Sequence, residues 1–391
     1  MLFVLALFAF FAIALPDAML GVAWPFMRVS FNQPIAAMTL VLPFGVAATV
    51  VAASSWTWAA ARIGLGRLLT SSVTLSAVAL LCCAVAPAYW LVVACAVLFG
   101  LSSGAVDAAL NAYAARHFGP RRINLMHAAF GIGAATSPLV VTVVVSAGAS
   151  WRWAYFTVMI VQAALAGLFA ATFRRWNEPT PKPGSAASAT RPAEPSTRSR
   201  LRPRPRAVSG LLVVALHSGL ESVVGLWAFV FLLDSLALPP AVAGAIVSGY
   251  WAALVVSRVL LGATAERVGV WPVLAAATVL IVIAAVLVVS QQPVPAAAGI
   301  VLLGLAVGPV YPLLVLTTKE RTTATSADRL VGFQAAASTL GAVTCPIAVG
   351  LIMSADPATF ATCLLVLALV STGGIWALQP GRHRPPVMSF G

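Results

Sequence analysis

Gly100-Leu101-Ser102-Ser103-Gly104-Ala105-Val106 is answered, 204 positions later, by Gly304-Leu305-Ala306-Val307-Gly308-Pro309-Val310. The reading of this pair decides the fold. Both copies lie inside long apolar runs, where glycines one turn apart let a second helix approach closely. Other pairs keep nearly the same offset. Asp17-x-x-x-Gly21 corresponds to Glu221-x-x-x-Gly225, again 204 apart. Arg62-x-Gly64 recurs as Arg267-x-Gly269, 205 apart, and Gly133 with Pro138 returns as Gly341 with Pro346, 208 apart. Any one pair is weak evidence, but four in the same order mark an internal duplication.

The solvent of the duplicated unit follows from composition. Of 391 residues 61% are apolar and 8% charged, whereas soluble domains carry roughly a quarter charged residues. A soluble globule could not hide that much apolar surface, because much of any folded surface faces water. Disorder is excluded by the same numbers, and so is a disulfide scaffold, since Cys82, Cys83, Cys95, Cys345 and Cys363 lie in apolar runs without a C-x-x-C pair. The net charge of +13 would suit a nucleic-acid binder. Its basic residues, however, sit in short polar gaps between apolar runs, so no nucleic-acid partner is expected.

Apolar stretches of about 20 residues predict spans near 2–24, 36–57, 68–87, 90–115, 124–148 and 151–173, then 208–236, 240–263, 271–290, 295–317, 328–354 and 357–378. Runs this long are helices, because barrel strands are shorter and alternate. The expected fold class is all-α integral membrane, with twelve transmembrane helices in two pseudo-symmetric six-helix halves. The halves are expected at 1–175 and 208–378, joined by a disordered linker at 176–207 and followed by a tail at 379–391. The linker is rich in Pro, Ser, Ala and Arg, which cannot bury a core.

Turns after odd spans hold Arg28, Arg152, Asp234 and Asp356. Turns after even spans hold Arg62, Arg67, Arg116, Arg121, Arg122, Arg267, Lys319, Arg321 and Arg329, as well as the linker. The positive-inside rule places the second group, and both termini, in the cytoplasm. A multi-pass protein of the cell inner (plasma) membrane is expected. The run from Met1 reads as span 1 rather than a signal peptide, since no small-residue cleavage site follows and Asp17 interrupts it.

Two similar six-helix halves joined by a cytoplasmic linker resemble the transporters of the major facilitator superfamily. Their loop motif G-x-x-x-D-x-x-G-R/K between helices 2 and 3 is recognisable in the repeat copy Gly262-Ala263-Thr264-Ala265-Glu266-Arg267-Val268-Gly269. The first copy keeps Arg62, Gly64 and Arg67 but has Thr57 and Ala61 in place of the glycine and the acid. The resemblance implies a solute site midway through the bilayer, between halves that rock about it. It also implies a cytoplasmic gate at Arg62, Gly64, Glu266, Arg267 and Gly269.

Ionised groups at mid-bilayer cost several kcal/mol and normally face water or a partner. Asp17, Asp107 and Glu221 are the acids well inside spans, and these are the expected proton-coupling residues. Gly100, Gly104, Asp107 and Asn111 share one helical face at i, i+4, i+7 and i+11. Asn124, His127, Gly131 and Pro138 form a second stripe, His217 precedes Glu221 by one turn, and Gln334 aligns with Gly341 and Cys345. Trp227, Tyr250, Trp251 and Tyr311 add aromatic surface. The expected solute-binding set is Asp107, Asn111, His127, Trp227, Tyr250, Trp251, Tyr311 and Gln334. Arg258, the deepest cation, lies close enough to a span end to snorkel, with a gate or solute role as the alternative.

These stripes resemble the sugar:proton symporter branch that includes the bacterial L-fucose permease. There, carboxylates on helices 1 and 4 serve coupling and recognition, roles that the resemblance transfers to Asp17 and Asp107. The helix 4 acid is an aspartate here, one methylene shorter than the glutamate of that permease. A carboxylate taken out of water holds its proton, and one rehydrated on the other side releases it. The expected partners are therefore a small polar solute, protons and the lipid bilayer. The chain is expected to be a monomer with no cofactor and no metal.

A proton-coupled antiporter exporting drugs or metabolites is the alternative. Such antiporters carry G-x-x-x-G-P-x-x-G-G in helix 5. Here that stretch is Gly133-Ala-Ala-Thr-Ser137-Pro138-Leu-Val-Val141-Thr142, without the second glycine and the Gly-Gly, which favours symport. An enzyme is not expected: His117, His127, His217 and His383 are never spaced H-E-x-x-H, and no phosphate-binding G-x-x-x-x-G-K-[ST] occurs. A channel explains duplicated halves less well than a carrier does.

Overall fold

The computed structural model describes residues 1–176, 205–321 and 324–379. Apart from their edges, the expected linker and tail lie outside the described residues. Every regular element among the described residues is a helix, as hydrocarbon requires of a chain that must satisfy its own backbone donors and acceptors. Twelve helices are long and apolar enough to cross a membrane. Spans 1 to 6 are Leu2–Ser30, Ile35–Ile63, Leu65–Ala84, Tyr89–His117, Arg121–Ser146 and Arg152–Trp176. Spans 7 to 12 are Val208–Ser235, Pro240–Val268, Val270–Val289, Pro293–Leu316, Leu330–Met353 and Thr359–Ala377.

The repeat seen in the sequence is a repeat of contacts. Gly100 and Gly104 in span 4 abut the backbone of Gly45 and Thr49 in span 2 so closely that a methyl on either would overlap it. Their counterparts Gly304 and Gly308 in span 10 meet Tyr250 and Leu254 in span 8 in the same way. Gly133 in span 5 lies against Phe11 in span 1, and Gly341 in span 11 against Ala215 in span 7.

The loop glycines repeat as well. Gly64 has φ 84° and Gly269 has φ 92°, each joining two helices without an intervening residue. Each donates its N–H four residues back, Gly64 to Ala60 at 2.9 Å and Gly269 to Ala265 at 3.0 Å. With ψ near 150° and 160°, both occupy a region that only glycine enters cheaply. Gly269→Ala is therefore expected to cost about 1–3 kcal/mol, read as a lower unfolding temperature in detergent. An unchanged temperature would show that the turn relaxes.

Several spans depart from expectation, spans 2 and 8 by running on to Ile63 and Val268. Span 1 continues past residue 24 to Ser30, because Arg28 has a partner across the molecule. Span 7 ends in a widened turn, Phe231–Ser235. Span 10 is not continuous: it runs Pro293–Val307, breaks, and resumes as Val310–Leu316. Pro309 and Pro312 supply no N–H to the carbonyls four residues earlier, so the ladder fails there.

Arg62, Arg67 and Arg267 share one end of the bundle, the basic end. Near the other end the two halves meet. Arg28 and Asp234, at the far ends of spans 1 and 7, form an ion pair at 2.9 Å. One layer in, Gly21 packs on Gly225 and Leu226. Gly350 in span 11 sits against Trp227 and against Thr39 in span 2. Spans 5 and 8 meet where Gly244 lies against Thr142, where the Ser248 hydroxyl donates to the Ala135 carbonyl, and where Gly131 lies against Val255.

Candidate functional site

The acids lie just on the basic side of that layer. Asp17 is one turn before Gly21 and Glu221 one turn before Gly225, so the closest approach of spans 1 and 7 sits directly beyond both. Asp17, Asp107 and His127 are exposed, although their neighbours Ala18, Val106 and Met126 are buried. Asn111 donates its amide to the Asp107 carboxylate at 3.0 Å, the pairing expected of residues one turn apart. Asp107 lies within electrostatic reach of both Asp17 and His127. The His127 ring packs edge-on against Phe10 of span 1, centroids 5.3 Å apart. Three spans thus bring the four expected first-half residues together.

The second half holds a different arrangement. Glu221 accepts from Arg258 Nη2 at 3.0 and 3.3 Å, and Arg258 Nε donates to the Gly308 carbonyl at 3.2 Å. Arg258 therefore does not snorkel. It folds onto an acid and a carbonyl that compensate its charge within the bundle. Pro312 explains the carbonyl: a residue with an N–H at that position would have used it. His217, fully buried, contacts the Val307 carbonyl through Nε2 at 3.2 Å. Its Nδ1 is buried without a hydrogen-bond partner among the described residues. Tyr250 donates to the Glu221 backbone carbonyl at 3.1 Å. The polar groups of spans 7, 8 and 10 converge on the break in span 10.

Part of the expected solute-binding set does not reach an open face. Trp227 is wholly buried, its indole N–H donating to the Pro346 carbonyl at 2.9 Å. Tyr250 is also wholly buried, and Gln334 is 1% exposed, accepting from the Thr318 hydroxyl at 2.9 Å. All three are fixed in helix packing, since their polar atoms already have partners. Trp251 and Tyr311 are half-buried, with Trp251 lying over Gly225. Of the expected gate, Arg62 stacks on Trp58 at 3.8 Å, and Glu266 and Arg267 are exposed.

Sequence reasoning missed two charge pairs. Arg28 and Asp234 are 206 positions apart, nearly the repeat offset, and a two-fold between halves brings equivalent span ends together. That signal was present. For Arg258, the sequence showed depth but not the neighbour.

Residues 6–233 match the family model described as Major Facilitator Superfamily. Over nearly its whole length the chain is similar in fold to a mutant form of the nucleoside transporter NupG. The TM-score is 0.77 at 14% identity, covering 96% of this chain and 98% of that one. It is similar also to a bacterial homologue of the human lysosomal transporter Spinster, in an inward-facing and occupied conformation. There the TM-score is 0.71 at 12% identity, covering 96% and 95%. Likeness at such identities is likeness of fold. No curated protein sequence matches the chain.

Proposed function

Because the chain belongs to the Major Facilitator Superfamily, and is thus a multi-pass membrane transporter, we propose that it moves a neutral, sugar-like solute by proton-coupled symport. The observation that carries this reading is the cluster of Asp17, Asp107 and His127, exposed at mid-span beside buried neighbours, with the half-buried Asn111. Among the described residues no Lys or Arg pairs with Asp17 or Asp107. Uncompensated acids at that depth are costly unless they hold protons or face water, and a carrier that alternates its opening offers both. Asp107 with Asn111 presents acceptors and a donor to hydroxyl groups. The halves 1–175 and 208–378 are the moving bodies, the linker 176–207 their tether, and the basic end the cytoplasmic side of an inner membrane. The unit is a monomer. Arg62, Gly64, Glu266, Arg267 and Gly269 form the cytoplasmic gate.

Cysteines placed one at a time at Asp17, Asp107, Asn111 and His127, in a background without native cysteines, test the reading. Each is expected to react with a membrane-impermeant thiol reagent applied from the basic end. Closing that end with solute should slow the reaction about tenfold. Complete protection under all conditions would put these residues in helix packing and end the proposal.

A further inference from the structure

We propose that Arg258 is the solute-binding residue of the second half, offering the free edge of its guanidinium to an oxygen of a neutral polyhydroxylated solute. The inference rests on the function proposed above and deepens it by naming the second-half contact. A guanidinium carries five N–H donors in a fixed plane. Nε is committed to the Gly308 carbonyl, and Nη2 to Glu221. Nη1 has no hydrogen-bond partner among the described residues, and the side chain remains 44% exposed. Two anchors on two spans hold the plane, so the free edge is presented in one orientation and little rotamer freedom remains to be lost on binding.

The register between spans 5 and 8 places that edge. These spans are antiparallel, and their contacts step from Thr142 with Gly244 through Ala135 with Ser248 to Gly131 with Val255. One further turn toward the basic end brings His127 level with Arg258. His127 is within electrostatic reach of Asp107, so a donor edge from one half faces the Asp107 and Asn111 pair from the other. A molecule with several hydroxyls can donate to Asp107 and accept from Arg258 at once.

Charge selects the class. Glu221 already neutralises Arg258, so an anionic solute would have to displace Glu221 and approach Asp17 and Asp107. Glu221 is accordingly a positioning residue.

The test uses the full-length protein with L-fucose, D-ribose and uridine as neutral probes, and glucuronate and tetraphenylphosphonium as charged ones. Thermal stabilisation of the wild type selects the probe, whose counterflow is then measured in proteoliposomes. Arg258→Lys keeps the charge and can still pair with Glu221, but it has no planar edge. It is expected to raise KM for a neutral probe at least tenfold while the maximal rate stays within about threefold. Glu221→Gln, the second variant, is expected to raise KM severalfold.

Unchanged KM in either folded variant, or a loss of rate at unchanged KM, overturns the role of Arg258 and leaves the proposed function standing. Stabilisation by a charged probe alone, or by none, overturns the neutral-solute reading and the inference with it.

Discussion

Asp17→Asn is expected to abolish accumulation driven by a proton gradient while leaving exchange of solute intact. A symporter carries its proton by alternating between a charged and a neutral carboxyl, and a permanently neutral amide cannot release one. Exchange needs only reorientation of the loaded carrier, which the amide permits. The proton-motive term supplies about 2.3 kcal/mol per charge per 100 mV, or roughly fifty-fold accumulation. In the variant this ratio should fall to about one. Asp107→Asn is expected to lose both driven uptake and exchange, because Asp107, bonded to Asn111 at 3.0 Å, is the acid proposed to touch solute. The measurement compares pH-driven uptake with counterflow of the same labelled compound in proteoliposomes. Normal accumulation by both variants would remove these acids from coupling and leave Glu221, or uncoupled diffusion, as the explanation.

The architecture was legible because hydrocarbon leaves the backbone few choices. An apolar run of span length must be a helix, and a recurring glycine marks where two helix backbones cross. Each repeated glycine of spans 4, 5, 10 and 11 indeed lies at such a crossing. The first-half cluster was legible for a related reason: a carboxylate at mid-span has to be explained, and one-turn spacing joined Asp107 to Asn111. The second half was less so. Helical spacing tells which face a residue occupies but not which neighbour covers it. Trp227 and Tyr250 were therefore expected along the solute path, whereas Trp227 is wholly buried and bonded to Pro346 of span 11, and Tyr250 is bonded to span 7. The break at Pro309 and Pro312 could have been foreseen, since two prolines three apart remove two ladder donors. What it does, freeing the Gly308 carbonyl for Arg258, depends on how spans 8 and 10 meet.

Gly21→Leu is expected to hold the end carrying Arg28 open. A Cβ at Gly21 would lie 2.7 Å from the Leu226 carbonyl oxygen and 3.0 Å from Leu226 Cα. Both are backbone atoms, so no side chain can swing aside to make room, and the two halves must separate instead. Overpacking of this kind costs about 1–3 kcal/mol, and at the upper value the closed population falls roughly 100-fold. The cost falls on the conformation in which spans 1 and 7 touch, not on each half separately, so the protein should fold and insert normally. Uptake should drop by a comparable factor, because the cycle must pass through the closed form. The ion pair between Arg28 and Asp234 lies about two turns beyond Gly21 and opens with it. A cysteine at Phe229, buried one turn beyond Gly225 against Phe26 of span 1, should therefore become reactive from that end in Gly21→Leu, and remain slow with Gly21 intact. Arg28→Ala in the same assay separates the two contributions: loss of one partly exposed pair is worth about 1 kcal/mol or less, a shift of about fivefold at most. If Gly21→Leu transports normally and the position at Phe229 stays protected, the helix crossing is not what closes this end, and the ion pair with the Thr142 and Gly244 contact must do so.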